Sequence, residues 1–175
     1  VDYKTKVKPF YISDHEVTNG EYREFVNWVR DSIAREKLAR RYELEERSKW
    51  IKTVTYNSGK KDGKGNFYIL NWNTELDYND PTNYFLLSDM YFDEAESYYT
   101  GREIDTRLLF FDYYDEESYK NRINVYPDTM CWIRDNIVFD GEHMAKSYFW
   151  SEDYINFPVV GLTFEQAKAI VYGEP

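Results

Sequence analysis

The tightest constraint on how this chain folds is a helix start signal followed by a regular apolar stripe. Thr18 and Glu21 stand at capping-box spacing: the threonine hydroxyl can accept the backbone N–H of Glu21, while the glutamate carboxylate accepts the N–H of Thr18. Beyond them Tyr22, Phe25, Val26, Val29 and Ile33 recur at intervals of three and four, which predicts a helix of at least about four turns with that face against a core. The preceding segment, Pro9 to Thr18, opens with Phe10-Tyr11-Ile12 and reads as a short strand ending in a polar turn. From Ala34 to Lys49 the residues turn to Arg, Lys, Glu and Leu without Gly or Pro. That composition predicts a continued or restarted helix with a solvated face, supported by pairing of Glu43 with Arg47.

Two β-rich runs, Trp50 to Tyr56 and Phe67 to Trp72, flank Asn57 to Asn66, where Gly59, Gly63 and Gly65 lie among lysines. A hairpin with a mobile tip is expected there. Near the other end, Phe157-Pro158-Val159-Val160 reads as a short buried strand, Gly161 as a turn, and Thr163 with Gln166 as a second capping box opening a helix. The apolar side of that helix, Phe164, Ala167 and Ile170, has no evident partner in the sequence, so a part of a larger polypeptide is expected. Residues 71–160 hold nineteen acidic and six basic side chains and most of the tyrosines. Pro81, Pro127 and Pro158 interrupt this stretch, which predicts short helices and irregular segments packed by aromatic rings. No internal repeat is present. The expected class is α+β, with a small sheet that includes the 50–72 hairpin and much irregular chain.

Composition narrows the function. A length of 175 residues suits one domain with a sizeable core, and no apolar run approaches the ~18 residues of a membrane helix. A net charge of −10 argues against a nucleic-acid partner, because phosphate binding needs a concentrated positive surface. The single cysteine, Cys131, forms no internal disulfide, and two histidines, His15 and His143, are too few for a histidine-rich metal cluster. Eighteen Tyr and five Trp point to extensive aromatic packing or a protein interface, since these rings combine large contact area with few rotatable bonds.

Each candidate site has a plainer structural reading beside it. Cys131 would need a base to become a thiolate nucleophile, and neither histidine sits in a recognisable partner motif; a thiol packed beside Trp132 is the plainer expectation. Asp77-Tyr78-Asn79-Asp80 offers oxygen ligands at close spacing but lacks the glycine turn and distal glutamate of a calcium loop, so a turn is expected. Asp112 and Asp115 to Glu117 resemble paired carboxylates for acid–base chemistry, although acidic clusters on an acidic chain are usually solvated. The exposed rings of Trp72 and Trp150 would suit a small-ligand or carbohydrate module, with nothing local to select a sugar. The favoured feature is the tyrosine-rich acidic stretch, whose rigid rings among carboxylates suit recognition of a basic partner surface. Within it Tyr113, Tyr114 and Asp115 are the expected subunit contacts.

Two anchors carry a resemblance. Phe10 to Phe25, FYISDHEVTNGEYREF, and Phe157 to Lys168, FPVVGLTFEQAK, resemble the first-half signatures of the formylglycine-generating, sulfatase-modifying factor fold. The stretch between them, with Leu70 to Pro81, Ile123 to Trp132 and Tyr148-Phe149-Trp150, is similar to one branch, the GldK/PorK family of gliding-motility lipoproteins. On that resemblance residues 1–175 are part of a sulfatase-modifying-factor-like domain, and 71–157 are an acidic, family-specific insertion. It implies a non-catalytic structural subunit of a periplasmic ring in the type IX secretion and gliding machinery. Its partners would be a companion subunit of GldN/PorN type and copies of itself, and a lipid anchor outside this sequence would attach it to the outer membrane. It implies no catalytic residue, cofactor or metal: the cysteine pair of formylglycine-generating oxidases has no counterpart, and Cys131 lies outside any matching motif. The alternative is an oxidase of that type whose catalytic half lies outside this sequence. Ile170 to Pro175 departs from the family's usual continuation of the last helix.

Overall fold

The computed structural model describes residues 9, 12–57, 64–93, 95–97, 101–114, 119–131 and 147–173. Their order is α1 (Asn19–Arg41), α2 (Leu44–Arg47), β1 (Ile51–Asn57), β2 (Lys64–Leu70), α3 (Pro81–Leu86), β3 (Phe110–Tyr114), β4 (Lys120–Asn124) and α4 (Phe164–Tyr172). Short 3-10 turns add Ser88–Met90, Thr106–Leu108 and Glu152–Tyr154. Helices and two separate two-stranded antiparallel sheets make the class α+β. The chain divides into two compact units, one of Val1–Tyr22 with Asp128–Gly161 and one of Arg23–Pro127 with Leu162–Pro175. Residues 71–157 therefore contribute to both units. No helix of the described residues is long and apolar enough to cross a membrane.

In the first unit the two ends of the sequence form a seam. Thr18 and Pro158 form an antiparallel bridge, and the Val159 N–H donates to the Val17 carbonyl at 2.9 Å. The first N–H groups of α1 are satisfied by the same segment: Asn19 donates to Phe157 and Gly20 to Ile155, each at 2.8 Å. Of the strand expected at 9–18, Phe10 and Tyr11 lie outside the described residues; among the described ones the pairing with 157–160 is this bridge, the chain bends at Asp14 and His15, and Ile12 is 82% exposed. The capping box forms as expected. Glu21 accepts the Thr18 N–H at 2.8 Å and Thr18 Oγ1 accepts the Glu21 N–H at 3.3 Å. Asn19 is buried, and its amide donates to the carbonyls of Tyr148 and Tyr154. The buried Tyr22 ring meets Phe149 edge-on at 6.2 Å. Gly161 has φ of +74°, and a Cβ there would lie 2.2 Å from the Asp128 carbonyl oxygen, so glycine is required on both counts.

In the second unit α1 continues unbroken to Arg41, and its later half corrects the expectation of a solvated face. Ala34, Leu38 and Ala39 are buried in a cluster with Trp50, Leu87 and Met90, and Leu76, Tyr78, Leu86 and Tyr91 pack around it. The apolar stripe does not end at Ile33; small and branched aliphatic residues extend it between the charged ones. Arg35 is also buried, its guanidinium donating to the Asn71 carbonyl at 2.8 Å and lying 4.9 Å from the Trp72 ring centre. The region after residue 71 therefore supplies core, with α3 held by Asp80 at its N-cap.

The expected hairpin forms, with Ile51 opposite Leu70 and Asn57 opposite Lys64. Most of its expected tip, residues 58–63, lies outside the described residues. A second hairpin, absent from the sequence expectation, pairs Phe110 with Asn124 and Tyr114 with Lys120. Its inward residues Phe111 and Tyr113 alternate with outward Phe110, Asp112 and Tyr114. The α4 capping box forms as expected. Its buried Gln166 also donates to the carbonyls of Asn124 and Tyr126, tying the helix to the end of β4. Gly173 ends α4 where a Cβ would lie 2.4 Å from the Phe25 ring. Of the face left without a partner in the sequence, Phe164 is 74% exposed and Ala167 is exposed as well, whereas Ile170 is half-buried.

Candidate functional site

The helix α1 presents a row of residues one turn apart, Trp28, Ser32, Glu36 and Arg40, beside Val29, Ile33 and Lys37. These residues line one wall of a groove of ≈ 740 Å³. The other wall is Phe110, Phe111, Asp112 and Arg122 of the second hairpin, with Leu70 and Leu108 completing it. All of these residues belong to the second unit. Rings make the floor: Trp28 stacks on Trp72 at 6.1 Å and meets Phe111 edge-on at 5.6 Å, and Phe25 meets Phe111 edge-on at 5.5 Å. Leu108 and Phe110 leave apolar surface open, and the Arg122 guanidinium lies 5.0 Å from the centre of the Phe110 ring.

The rim is charged on both sides. Arg40 pairs with Glu36 at 3.2 Å, one turn back on the same helix. Lys37 and Arg41 both hold Asp89, and hydrogen bonding to Arg41, followed by Lys37, brings its carboxyl down to about 2 despite partial desolvation. Across the groove, Lys120 pairs with Asp112 at 3.0 Å, which raises the lysine pKa, while Arg122 stands 3.9 Å from the same carboxylate. An apolar floor between guanidinium-bearing rims can hold an amphipathic segment whose carboxylates meet the arginines. Among the described residues no cluster of His, Cys, Asp or Glu has the makings of a metal site.

The structure separates the residues singled out in the sequence. Tyr113 is 5% exposed and stacks on Tyr172 at 5.0 Å, so its ring belongs to the packing beneath α4 and is closed to a partner. Tyr114, next in the strand, is 64% exposed, as alternation along β3 requires. Asp115 to Glu117 lie outside the described residues, as do Trp132 and His143. Cys131 is half-buried, and its N–H donates to the Asp128 carbonyl. His15 sits at the surface between Asp14 and Glu21, at 2.7 and 3.2 Å. Hydrogen bonds to the Asp14 carboxylate and then to that of Glu21 raise its pKa, so it buttresses the cap of α1. Asp77 accepts the Asn79 N–H, and Asp80 accepts those of Thr82 and Asn83, which is the turn expected for that motif. Trp72 adjoins the groove floor, and Trp150 is 44% exposed in the other unit.

Sequence reasoning missed Trp28, Arg40, Phe110 and Arg122. One signal was available for the helical pair: Trp28 begins the Ser32–Glu36–Arg40 row immediately beside the buried stripe, an odd place for so large a ring on a solvated face. The hairpin pair had no such signal, because only the fold brings β3 opposite α1. No protein-family model, curated protein or solved structure matches the chain.

Proposed function

We propose that the chain is a non-catalytic structural subunit of the periplasmic, outer-membrane-associated ring of the type IX secretion and gliding machinery. Its scaffold in this reading is the sulfatase-modifying factor fold enlarged by residues 71–157. The observation that carries it is the seam in the first unit. The two anchors that bear the family resemblance come from opposite ends of the sequence, yet Val17 and Thr18 of one pair with Pro158 and Val159 of the other. Motifs defining one scaffold must meet in this way, and the intervening chain is then free to lengthen.

The use made of the polar side chains also supports a scaffold. Glu21, Asp80 and Asp105 cap helices, Asp77 closes a turn, and Asp89 and Asp112 hold cations, so the carboxylates work in holding the fold. Large apolar side chains on the surface, Ile12, Phe85, Tyr114, Tyr119, Phe164 and Val171, suit a protein that works in contact with others. The partners in this proposal are a companion subunit of GldN/PorN type and further copies of the chain, at the periplasmic face of the outer membrane.

The test is co-expression of the full polypeptide with a companion of that type, detergent extraction of the envelope, and electron microscopy of the purified material. Closed multi-copy rings containing both proteins are expected. A monomer that does not bring the companion through purification overturns the reading.

A further inference from the structure

We propose that His15 is a proton-operated latch on the seam of the first unit: with both ring nitrogens protonated it ties the turn before α1 to the helix cap, and on losing one proton it lets the cap side go. The latch operates whether or not the chain belongs to a ring. Nδ1 of His15 lies 2.7 Å from Asp14 Oδ1, and Nε2 lies 3.2 Å from Glu21 Oε1. An ionised carboxylate accepts hydrogen bonds and donates none, so each contact needs its own N–H. A neutral imidazole carries one N–H in either tautomer, and only the imidazolium satisfies both contacts. The side chains of His15 and Glu21 are 52% and 50% exposed, so protons from solvent reach the pair.

The latch holds the cap of α1 and, through it, the seam. While Glu21 Oε1 faces His15, its Oε2 accepts the Thr18 N–H at 2.8 Å and the Thr18 hydroxyl at 2.9 Å. Thr18 in turn bridges to Pro158, between the hydrogen bonds from Val159 to Val17 and from Asn19 to Phe157. The proton on His15 is therefore two contacts away from the join between opposite ends of the sequence. When the ring gives it up, a lone pair is left facing a carboxylate oxygen, and the longer contact, to Glu21, is the one that opens.

The surrounding charges act in the same sense. Glu16 adjoins His15, and the 3-10 turn beside the helix start carries Glu152 and Asp153, all anionic; Arg23 and Glu24, next along α1, have opposite signs. Phe157-Pro158-Val159 has no titratable side chain, and burial raises the pKa of Tyr148, which donates to the Pro158 carbonyl and stays neutral. Hydrogen bonding to Asp14 and then Glu21 raises the His15 pKa above its ordinary ~6.5. The carboxyl of Asp14 is lowered by its bond to His15, and that of Glu21 by Thr18 and then His15. The contribution of the latch is therefore complete below about pH 6.5, down to the carboxylate range near ~4, and is lost as pH rises through the folded pKa of His15.

The probe is the proton itself. The full chain is titrated between about pH 5 and 9 with its imidazole resonances followed by nuclear magnetic resonance, the signal missing from His15→Gln being that of His15. Its midpoint should lie above that of His15 in the urea-unfolded chain. It should fall in Asp14→Asn and in Glu21→Gln, the second of which keeps an acceptor for the Thr18 N–H. Protection of the Thr18 and Val159 amides against hydrogen exchange, corrected for the intrinsic rate, should drop by up to about fivefold across that midpoint. The Val125 amide, which donates to the Leu109 carbonyl in the second unit, should keep its protection. In His15→Gln, an exposed substitution that should keep the circular dichroism of the parent, protection at Thr18 and Val159 should not respond to pH in this range. A midpoint at or below that of the unfolded chain overturns the proposal. So does a raised midpoint without a change at Thr18 and Val159, or the same change in His15→Gln.

Discussion

The two hairpins share one topology and differ in how their described side chains are packed. Among its described side chains the first, β1–β2, leaves Lys52, Thr53, Tyr68 and Ile69 exposed, while Ile51 at its base packs against the core cluster that holds Trp50. The second, β3–β4, buries Tyr113 beneath α4 and half-buries Phe111 against α1, while Asp112, Tyr114, Lys120 and Arg122 are exposed. A two-stranded sheet is marginal by itself, so the difference lies in what covers it. At Lys52, Thr53, Tyr68 and Ile69 the first hairpin is open, whereas the second packs Phe111 against α1 and Tyr113 against α4. That also explains why the second shapes the groove: its inner face is fixed, so its outer wall stands in a defined place.

The contrast breaks first, and with the largest effect, at the two tyrosines. Tyr113→Ala should cost about 3 kcal/mol in chemical denaturation, because it removes a buried ring stacked on Phe111 and Tyr172. Tyr68→Ala on the first hairpin should cost less than about 1 kcal/mol, chiefly its contact with Arg47. Similar losses at the two positions would mean that both hairpins are equally packed.

The cover itself gives the next test. Gly173→Ala should lower stability by about 2 kcal/mol, since the new methyl meets the Phe25 ring and α4 must shift off the second hairpin. Hydrogen exchange should then accelerate in β3 and β4 more than in β1 and β2. Uniform acceleration would show that α4 does not act through the second hairpin.

A polar test follows at Gln166. Its amide donates to the carbonyls of Asn124 and Tyr126, and its Oε1 accepts the Thr163 N–H. Gln166→Leu leaves those groups unpaired, and about 1.5 kcal/mol should be lost by thermal or chemical unfolding. A neutral outcome would indicate that water replaces all three bonds.

The smallest effect bypasses both hairpins and serves as their control. Asp89, held by Arg41 and Lys37, has a folded pKa of about 2, below the ~3.9 of an unfolded aspartate. The group therefore contributes stability above about pH 4, and that contribution is lost as pH falls from about 4 towards 2. Because its side chain is 46% exposed, solvent screening limits the gain to about 0.5 kcal/mol. Asp89→Asn should flatten that acid limb and leave exchange in both hairpins unchanged. An unaltered limb would show that the ion pairs are idle in solution.

The residues legible in the sequence were those governed by neighbours a few positions away. Thr18 with Glu21 and Thr163 with Gln166 form the expected caps because a capping box closes within one turn, and the Tyr22-to-Val29 face is buried because helical period alone puts it on one side. The first hairpin was readable for the same reason: its β-branched runs and intervening glycines are local signals. The second was hidden by its chemistry, since Phe110-Phe111-Asp112-Tyr113-Tyr114 shows no clean apolar and polar alternation to the eye. A tyrosine can be core or surface, and only the pleat decided that Tyr113 goes in and Tyr114 comes out.

What the sequence determined by itself was the start of each capped helix, the first hairpin, the α+β class and the strong acidic bias of the chain after residue 71. Tertiary structure alone decided that Leu87, Met90, Leu109, Tyr113 and Val125 of this acidic stretch would be buried, that Val17 and Thr18 would meet Pro158 and Val159, and that Trp28 and Arg40 would line one groove with Phe110 and Arg122. The physical reason is distance along the chain. Caps and periodicity act over a turn or two, but burial and charge pairing depend on which remote segment arrives opposite, and no local pattern records that arrival.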